Sequence, residues 1–348
     1  MLCKRSVVFV LASSSLVALA SSQPCTIADA RDIPNVQRCS VITIKAFIMP
    51  AGRTLMLDVQ AGTKINQVYG DQITYNGNNH KLECQGERYW DSKGALGTAK
   101  PGPALSLLIT GSVSNLVIHN TPLNAVVVEA PGKTLLSNIF VNNTDGARMG
   151  HNTDGFNVVQ NTYDLTISGC RVINQDDCIS ITSGTRITIT QNKCSGGHGI
   201  SIGSIRSNEH VSNVLIAGNA VENSAQGYRI KTLSGATRGS VSDITYSGNT
   251  GTGLTNYGVV IEQDYTESGP KGPSGATNGV LISNVKFIGR TTTLSVMGNK
   301  AQKVYVLCGD KSCFGKWDWS GLKFTGNAPL GSITRAPITV GGFTEFSS

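Results

Sequence analysis

From about residue 115 onward the chain repeats a short phrase in which apolar and polar residues alternate before a turn residue. It reads "NLVIHN" (115–120), "DLTISGC" (164–170), "RITITQN" (186–192), "NVLIAGN" (213–219), "DITYSGN" (243–249) and "NVKFIGR" (284–290). A second alternating phrase lies between these: "DGFNVV" (154–159), "DCISIT" (177–182), "HGISIG" (198–203), "GYRIK" (227–231), "YGVVIE" (257–262) and "VYVLCG" (304–309). Alternation of this kind predicts short half-buried strands. The abundance of Gly, Asn and β-branched residues favours strands joined by tight turns over helices. Between the phrases at 164 and 243 the spacing runs from 22 residues (Leu165 to Ile187) to 30, and a strand-bearing period of that length is the signature of a solenoid. Leucine-rich repeats are the rival, but their leucine framework and helical half are missing. The expected fold is all-β, a right-handed parallel β-helix. Residues 21–348 should form one domain, with an N-terminal cap from residue 25 to about 60.

A solenoid turns sequence register into spatial neighbours, because successive coils stack about 4.8 Å apart. Aligning the second phrase puts Phe156, Ile179, Ile200, Tyr228 and Val259 in one inward column. Val158, Ile181, Ile202, Ile230 and Ile261 form the next. The outward neighbours are then Asn157, Ser180, Ser201 and Arg229, followed by Val159, Thr182, Gly203 and Lys231. Asp154, Asp177 and His198 share the column at the strand entrances, and Asp176 sits one residue earlier, at the turn. Adjacent aspartates are most simply a solvated turn. Their agreement in register with another carboxylate, an imidazole and two cations argues instead for a site. Carboxylates in one patch push at least one pKa up, and an acid beside an ionised base is what glycoside hydrolysis requires. Arg229 and Lys231, alternate residues of one strand, could grip a sugar carboxylate.

The N-terminus "MLCKRSVVFVLASSSLVALASSQPC" has a basic start, an apolar run and an A-L-A site, so residues 1–20 are expected to be a secretory signal. No later stretch is long and apolar enough to span a bilayer; the protein is expected to be secreted, extracellular and free of membrane. Eight cysteines remain once Cys3 leaves with the signal, which suits an oxidising compartment, although spacing alone leaves their connectivity open. Zinc finds no C-x-x-C pair. Without Lys4 and Arg5 the chain has 27 basic against 22 acidic residues, a charge of +5, and a mildly basic cleft attracts acidic partners. Nucleic acid is disfavoured by secretion and by the lack of a basic block; an acidic polysaccharide fits better. Asn142 ("NNT") is a candidate glycosylation site.

"NTDGF" (152–156), "NQDDC" (174–178), "GGHGISIGS" (196–204) and "RIK" (229–231) resemble, in order, the four signature motifs of polygalacturonases, glycoside hydrolase family 28. The resemblance extends from "CQGERYWDSKG" (84–94) through "NYGVVIEQDY" (256–265) to "SCFGKWDW". It implies a parallel β-helix that hydrolyses α-1,4-linked galacturonan (pectin, polygalacturonate) with inversion and without a metal. A monomer without cofactor and endo attack are expected beside it, with endo against exo left open because it depends on whether loops close one end of the cleft. It implies that Asp176 is the general acid, that Asp154 and Asp177 activate water, and that His198 supports the acid. Crowding among the three carboxylates is then the reason to expect a raised pKa at Asp176. Arg229 and Lys231 match the substrate-carboxylate cations, and Tyr265 matches a substrate-contacting tyrosine. The implied disulfides are Cys25–Cys39, Cys178–Cys194 and Cys308–Cys313, with Cys84 and Cys170 unassigned. One departure bears on the chemistry: Asn157 stands where polygalacturonases usually have Asp, removing a negative charge near the water side. A pectate lyase and an inactive pectin binder are the alternatives. Calcium needs six or more oxygen ligands, which a histidine beside the acids suits poorly.

Overall fold

A computed structural model describes residues 25–36, 41–45, 64–267 and 275–341, so the expected signal peptide lies outside the described residues. The alternating phrases form strands, and the strands pair in parallel from coil to coil. One ladder stacks Val126–Glu129, Phe156–Val158, Ile179–Ile181, Ile200–Ile205, Gln226–Leu233, Tyr257–Tyr265 and Gln302–Leu307. A second stacks Thr134–Ser137, Tyr163–Ser168, Gly184–Thr190, His210–Ala217, Gly239–Ser247 and Val280–Phe287. The third, of nine strands, reaches from Lys81–Glu83 to Leu322–Thr325. Each coil gives one strand to each face, and the only helical elements among the described residues are short 3-10 turns. This is the expected right-handed parallel β-helix.

The columns read from the sequence hold. Phe156 pairs with Ile179, Ile179 with Ile200, Ile200 with Tyr228 and Tyr228 with Val259. All five are at most 2 % exposed. Each such side chain contributes roughly 1.5–3 kcal/mol relative to exposure, so the interior holds each strand's face toward the axis. A one-residue slip would turn the whole set outward. Toward the C-terminal end the interior becomes aromatic. Tyr228, Tyr246, Phe287, Trp319 and Trp317 follow one another with ring centroids 5.5, 4.4, 5.2 and 6.2 Å apart.

The asparagine that closes several of the first phrases has a structural reason. Asn192, Asn219 and Asn249 are buried and form a ladder across the coils. The Asn219 Oδ1 accepts the backbone N–H of Asn192 at 3.0 Å, and the Asn249 Oδ1 accepts that of Asn219 at 2.9 Å. Their Nδ2 groups donate to the carbonyls of Ile167, Ile189 and Ile216. Turn backbone groups left inside would otherwise lack partners. The ladder ends at Cys170, whose N–H donates to Asn192 Oδ1, and at Thr292, whose hydroxyl accepts from the Asn249 N–H.

At the N-terminal end Thr26–Ile27 pairs with Val41–Lys45, which pairs with Lys64–Asn76. Ile27, Ile33 and Val36 are buried there, and part of the region expected as the cap lies outside the described residues. Cys178–Cys194 and Cys308–Cys313 are bonded as expected. Cys25 is disulfide-bonded too, although its expected partner Cys39 lies outside the described residues. Cys84, which the resemblance left unassigned, is also disulfide-bonded. Cys170 is a buried free thiol.

Candidate active site

The outward face of the ladder from Phe156–Val158 to Tyr257–Tyr265 forms the floor of a cleft of about 400 Å³. Asp154, Asp176, Asp177, Lys231 and Tyr265 all line it. Each carboxylate comes from a turn entering a strand, where the alternation places the following apolar residue inward and leaves the acid at the rim of the sheet. Cys178, next to Asp177, is tied to Cys194 one coil on. Glycine brings the imidazole coil close: His198 N–H donates to the Asp176 carbonyl at 2.8 Å, and a Cβ on Gly197 would lie 2.1 Å from that same oxygen.

Asp177 is the best-satisfied carboxylate. Its Oδ2 accepts from Lys231 Nζ at 2.8 Å, its Oδ1 accepts from Ser201 Oγ at 2.6 Å, and the Arg229 guanidinium lies 3.8 Å from Oδ1. The "RIK" cations therefore do not sit on a solvated strand face; both are buried against this acid. The Tyr265 ring covers them, its centroid 5.0 Å from Lys231 Nζ and 5.4 Å from the Arg229 guanidinium carbon, a cation–π geometry.

Asp176 turns the other way. Its Oδ1 accepts the Asp177 backbone N–H at 2.8 Å and lies 3.0 Å from His198 Nδ1, and its Oδ2 accepts from Asn152 Nδ2 at 3.0 Å. An ionised carboxylate only accepts, so Nδ1 is the protonated ring nitrogen of His198. Asp154, in contrast, accepts a single side-chain bond among those resolved, from Asn157 Nδ2 at 3.1 Å.

These differences push the pKa values of the two carboxyls apart. Burial, then the charges of Asp176 and Asp177, raise the Asp154 pKa well above the ordinary carboxylate value; Lys231 and the Asn157 bond pull it only partly back. Burial also works to raise Asp176, but the His198 bond and charge, the Lys231 charge and the Asp177 N–H together outweigh it and hold Asp176 below the ordinary value. One raised pKa in the patch was expected, but at Asp176; it falls on Asp154, because Asp176 has the hydrogen-bond donors and Asp154 largely lacks them.

Asp176, Asp177 and His198 present ligand-type atoms within 4.8 Å of one another, the one group of this kind among the described residues. The donor set suits a cation poorly. Asp177 already has an ammonium at 2.8 Å, and the His198 Nδ1 proton faces Asp176. Sequence reasoning placed Ser201 in the outward column without a role; it is a direct partner of Asp177. It missed Asn152, although "NTDGF" contains it, and it missed the rim pair Arg206–Glu267, whose residues come from segments without shared periodicity. Asn142 lies on the strand Phe140–Asn142, away from this cleft's lining, with its side-chain oxygen accepting from Thr144 Oγ1 at 2.6 Å.

Comparison with known proteins agrees with the geometry. The chain is 42 % identical over 323 residues to Endopolygalacturonase II of Aspergillus awamori, covering 86 % of this chain and 87 % of that one. It is 38 % identical over 358 residues to a polygalacturonase of Cochliobolus carbonum, covering 94 % and 96 %. Among solved structures, Endopolygalacturonase I from Stereum purpureum complexed with two galacturonate matches with a TM-score of 0.73 at 39 % identity, over 91 % of this chain and 99 % of that one. Residues 39–341 match the family described as Glycosyl hydrolases family 28. With its aspartate, histidine and cation motifs gathered on one face of a β-helix, the chain belongs to that family.

Proposed function

We propose that this protein is a secreted, endo-acting polygalacturonase that hydrolyses α-1,4-galacturonosidic bonds of pectin and polygalacturonate with inversion. The observation that carries the reading is the juxtaposition of Asp154, Asp176 and Asp177 in one cleft with a buried lysine bonded to Asp177. Such a floor presents both proton-handling groups and a cation to an anionic sugar. The endo-acting relatives support the mode of attack. The N-terminal signal-like segment and the disulfides support secretion, with a glycan at Asn142 as part of the same reading. The protein acts as a monomer and without nucleic acid, membrane or cofactor.

In the reaction, water adds to the anomeric carbon while the bond to the leaving sugar's oxygen breaks. Asp176 gives its proton to that oxygen, and Asp154 with Asp177 takes the proton of the attacking water. The Lys231 ammonium and the Arg229 guanidinium face the sugar carboxylate, with Tyr265 against the ring. His198 holds Asp176. Because the three carboxyls titrate as a coupled set, and the free site favours protonation of Asp154 over Asp176, this assignment requires bound substrate to shift that preference toward Asp176. A second assignment follows from the resting electrostatics: Asp154 as acid and ionised Asp176 as base. Substrates with an activated leaving group decide between them, since they need no acid. The variant that keeps its rate on such a substrate, Asp176→Asn or Asp154→Asn, identifies the proton donor.

The reading itself is tested by incubating purified protein with polygalacturonate and separating products by size. A ladder of saturated oligomers is expected. Monomer or dimer alone means exo attack. Unsaturated products absorbing in the ultraviolet mean a lyase, and unchanged polymer means a binder.

A further inference from the structure

The two oxygens of Asp176 have different company. Oδ1 is engaged twice, by the Asp177 N–H and by His198, whereas Oδ2 accepts from Asn152 Nδ2 at 3.0 Å. The Asn152 carboxamide is oriented from its far side: its Oδ1 accepts the backbone N–H of Ala95 at 3.0 Å. A backbone N–H can only donate, so Oδ1 must face Ala95 and Nδ2 must face Asp176. Asn152 thereby bridges Asp176 to the cleft wall formed by residues 91–100. That wall is firmly held. The Lys100 ammonium, 1 % exposed, lies 2.8 Å from Asp91 Oδ1 and donates to the carbonyls of Gly94 and Thr98.

The chain accommodates this bridge at two unusual backbone positions. Asn152 has a φ of +53°, in the left-handed region that asparagine tolerates better than most residues. Gly94 has a φ of +55°, and a Cβ there would lie 2.1 Å from Asn152 Oδ1. The wall passes so close that only glycine fits beside the carboxamide. Leu96, 75 % exposed and lining the cleft, is carried on the same turn.

We propose that Asn152 is a positioning residue for Asp176: it fixes the direction of the Oδ2 oxygen and anchors it to the cleft wall through Ala95. The proposal rests on the hydrolase reading, in which Asp176 transfers a proton. With Oδ1 occupied twice, the transferable proton belongs on Oδ2, and a neutral donor beside that oxygen both aims it and eases its ionisation. Asp176 is also faced by His198, Lys231, Asp154 and Asp177, and all four stay unchanged when Asn152 is altered.

Asn152→Asp tests this. The substitution keeps the shape and the acceptor for Ala95, removes the donor to Oδ2 and adds a like charge beside it. The alkaline limb of the kcat–pH profile should move up by about one pH unit or more. The optimal kcat should fall about ten- to hundredfold while KM stays within about twofold. Asn152→Ala should shift the limb in the same direction by less, because no charge is added. A limb that stays in place in Asn152→Asp, or kcat and KM that worsen together without a shift, overturns the proposal. A measurement independent of turnover separates it from the functional reading: carbon-13 NMR titration of the Asp176 carboxyl in both proteins. A higher titration midpoint in Asn152→Asp supports the positioning role, and an unchanged midpoint overturns it whether or not polygalacturonate is cut.

Discussion

Replacing Lys231 with methionine removes a positive charge from the centre of the site while keeping the length of the side chain. Lys231 Nζ lies 2.8 Å from Asp177 Oδ2, and both side chains are almost fully buried. Removing one partner of a buried pair costs about 3–5 kcal/mol, because the other charge is left uncompensated. Asp177 keeps the Ser201 hydroxyl at 2.6 Å and the Arg229 guanidinium at 3.8 Å, which puts the expected loss at the lower end, about 3 kcal/mol. The pH dependence has a definite sign. Lys231 lowers the pKa of both Asp154 and Asp176. The depressed pKa of Asp176 contributes stability that is present above its unfolded value and lost as pH falls through the folded one. Without Lys231 that contribution shrinks. The pKa of Asp154, already raised, rises further, so its ionisation opposes folding more strongly as pH increases. Both effects widen the gap between wild type and Lys231→Met at neutral pH and narrow it on acidification into the carboxylate range. Thermal unfolding of wild type, Lys231→Met, Asp177→Asn and the double variant, followed between about pH 3 and 7, measures this. The double variant should recover much of the loss, with a coupling above about 1.5 kcal/mol. A pH-independent gap, or strictly additive single effects, would refute the reasoning.

Asp176→Asn should fold normally and lose about 10²- to 10⁴-fold in turnover, while oligogalacturonide binding is retained or tightened because one less negative charge faces a polyanion. Hydrolysis near the wild-type rate would remove Asp176 from the chemistry. Chelation with EDTA should leave hydrolysis intact; activity lost on chelation and restored by calcium would favour a lyase. Burial pushes the Cys170 thiol up to about 12, so a thiol-specific reagent at neutral pH should label the unfolded chain and spare the native one. Native labelling at the rate of an exposed thiol would contradict its burial.

The columns were legible because strand alternation and coil stacking are both periodic: once Ile179 was aligned with Ile200, the position of Asp177 against Asp154 and His198 followed. What periodicity does not encode is how side chains meet across the cleft. Alternation placed Arg229 and Lys231 outward, but only the structure shows that outward here means buried against Asp177 and under Tyr265. The raised pKa was expected at the wrong carboxyl for the same reason. Counting carboxylates gives a raised pKa without saying which, and the choice is made by the groups around Asp176: His198, Lys231 and the Asp177 N–H. Cys84 was beyond reach, since spacing leaves disulfide connectivity open. The asparagines ending the first phrase were read only as turn residues, although their side chains join neighbouring coils.

That last feature bears on how the molecule comes apart. In a plain stack, each coil touches only its neighbours and can peel from an end one unit at a time. Here the carboxamides of Asn219 and Asn249 each serve the backbone of the preceding coil, so lifting a coil away strands a buried N–H on the one beneath. Leaving such a group without a partner costs roughly 1–3 kcal/mol. Fraying that starts at the C-terminal end should therefore meet a series of steps as it reaches Thr292, Asn249 and Asn219. The coils bearing Asp154, Asp176, Asp177 and His198 lie on the far side of those steps. Hydrogen exchange should find the slowest amides there, and catalysis should outlast loosening of the coils beyond Thr292 but be lost once fraying passes that step to Tyr265 and Lys231.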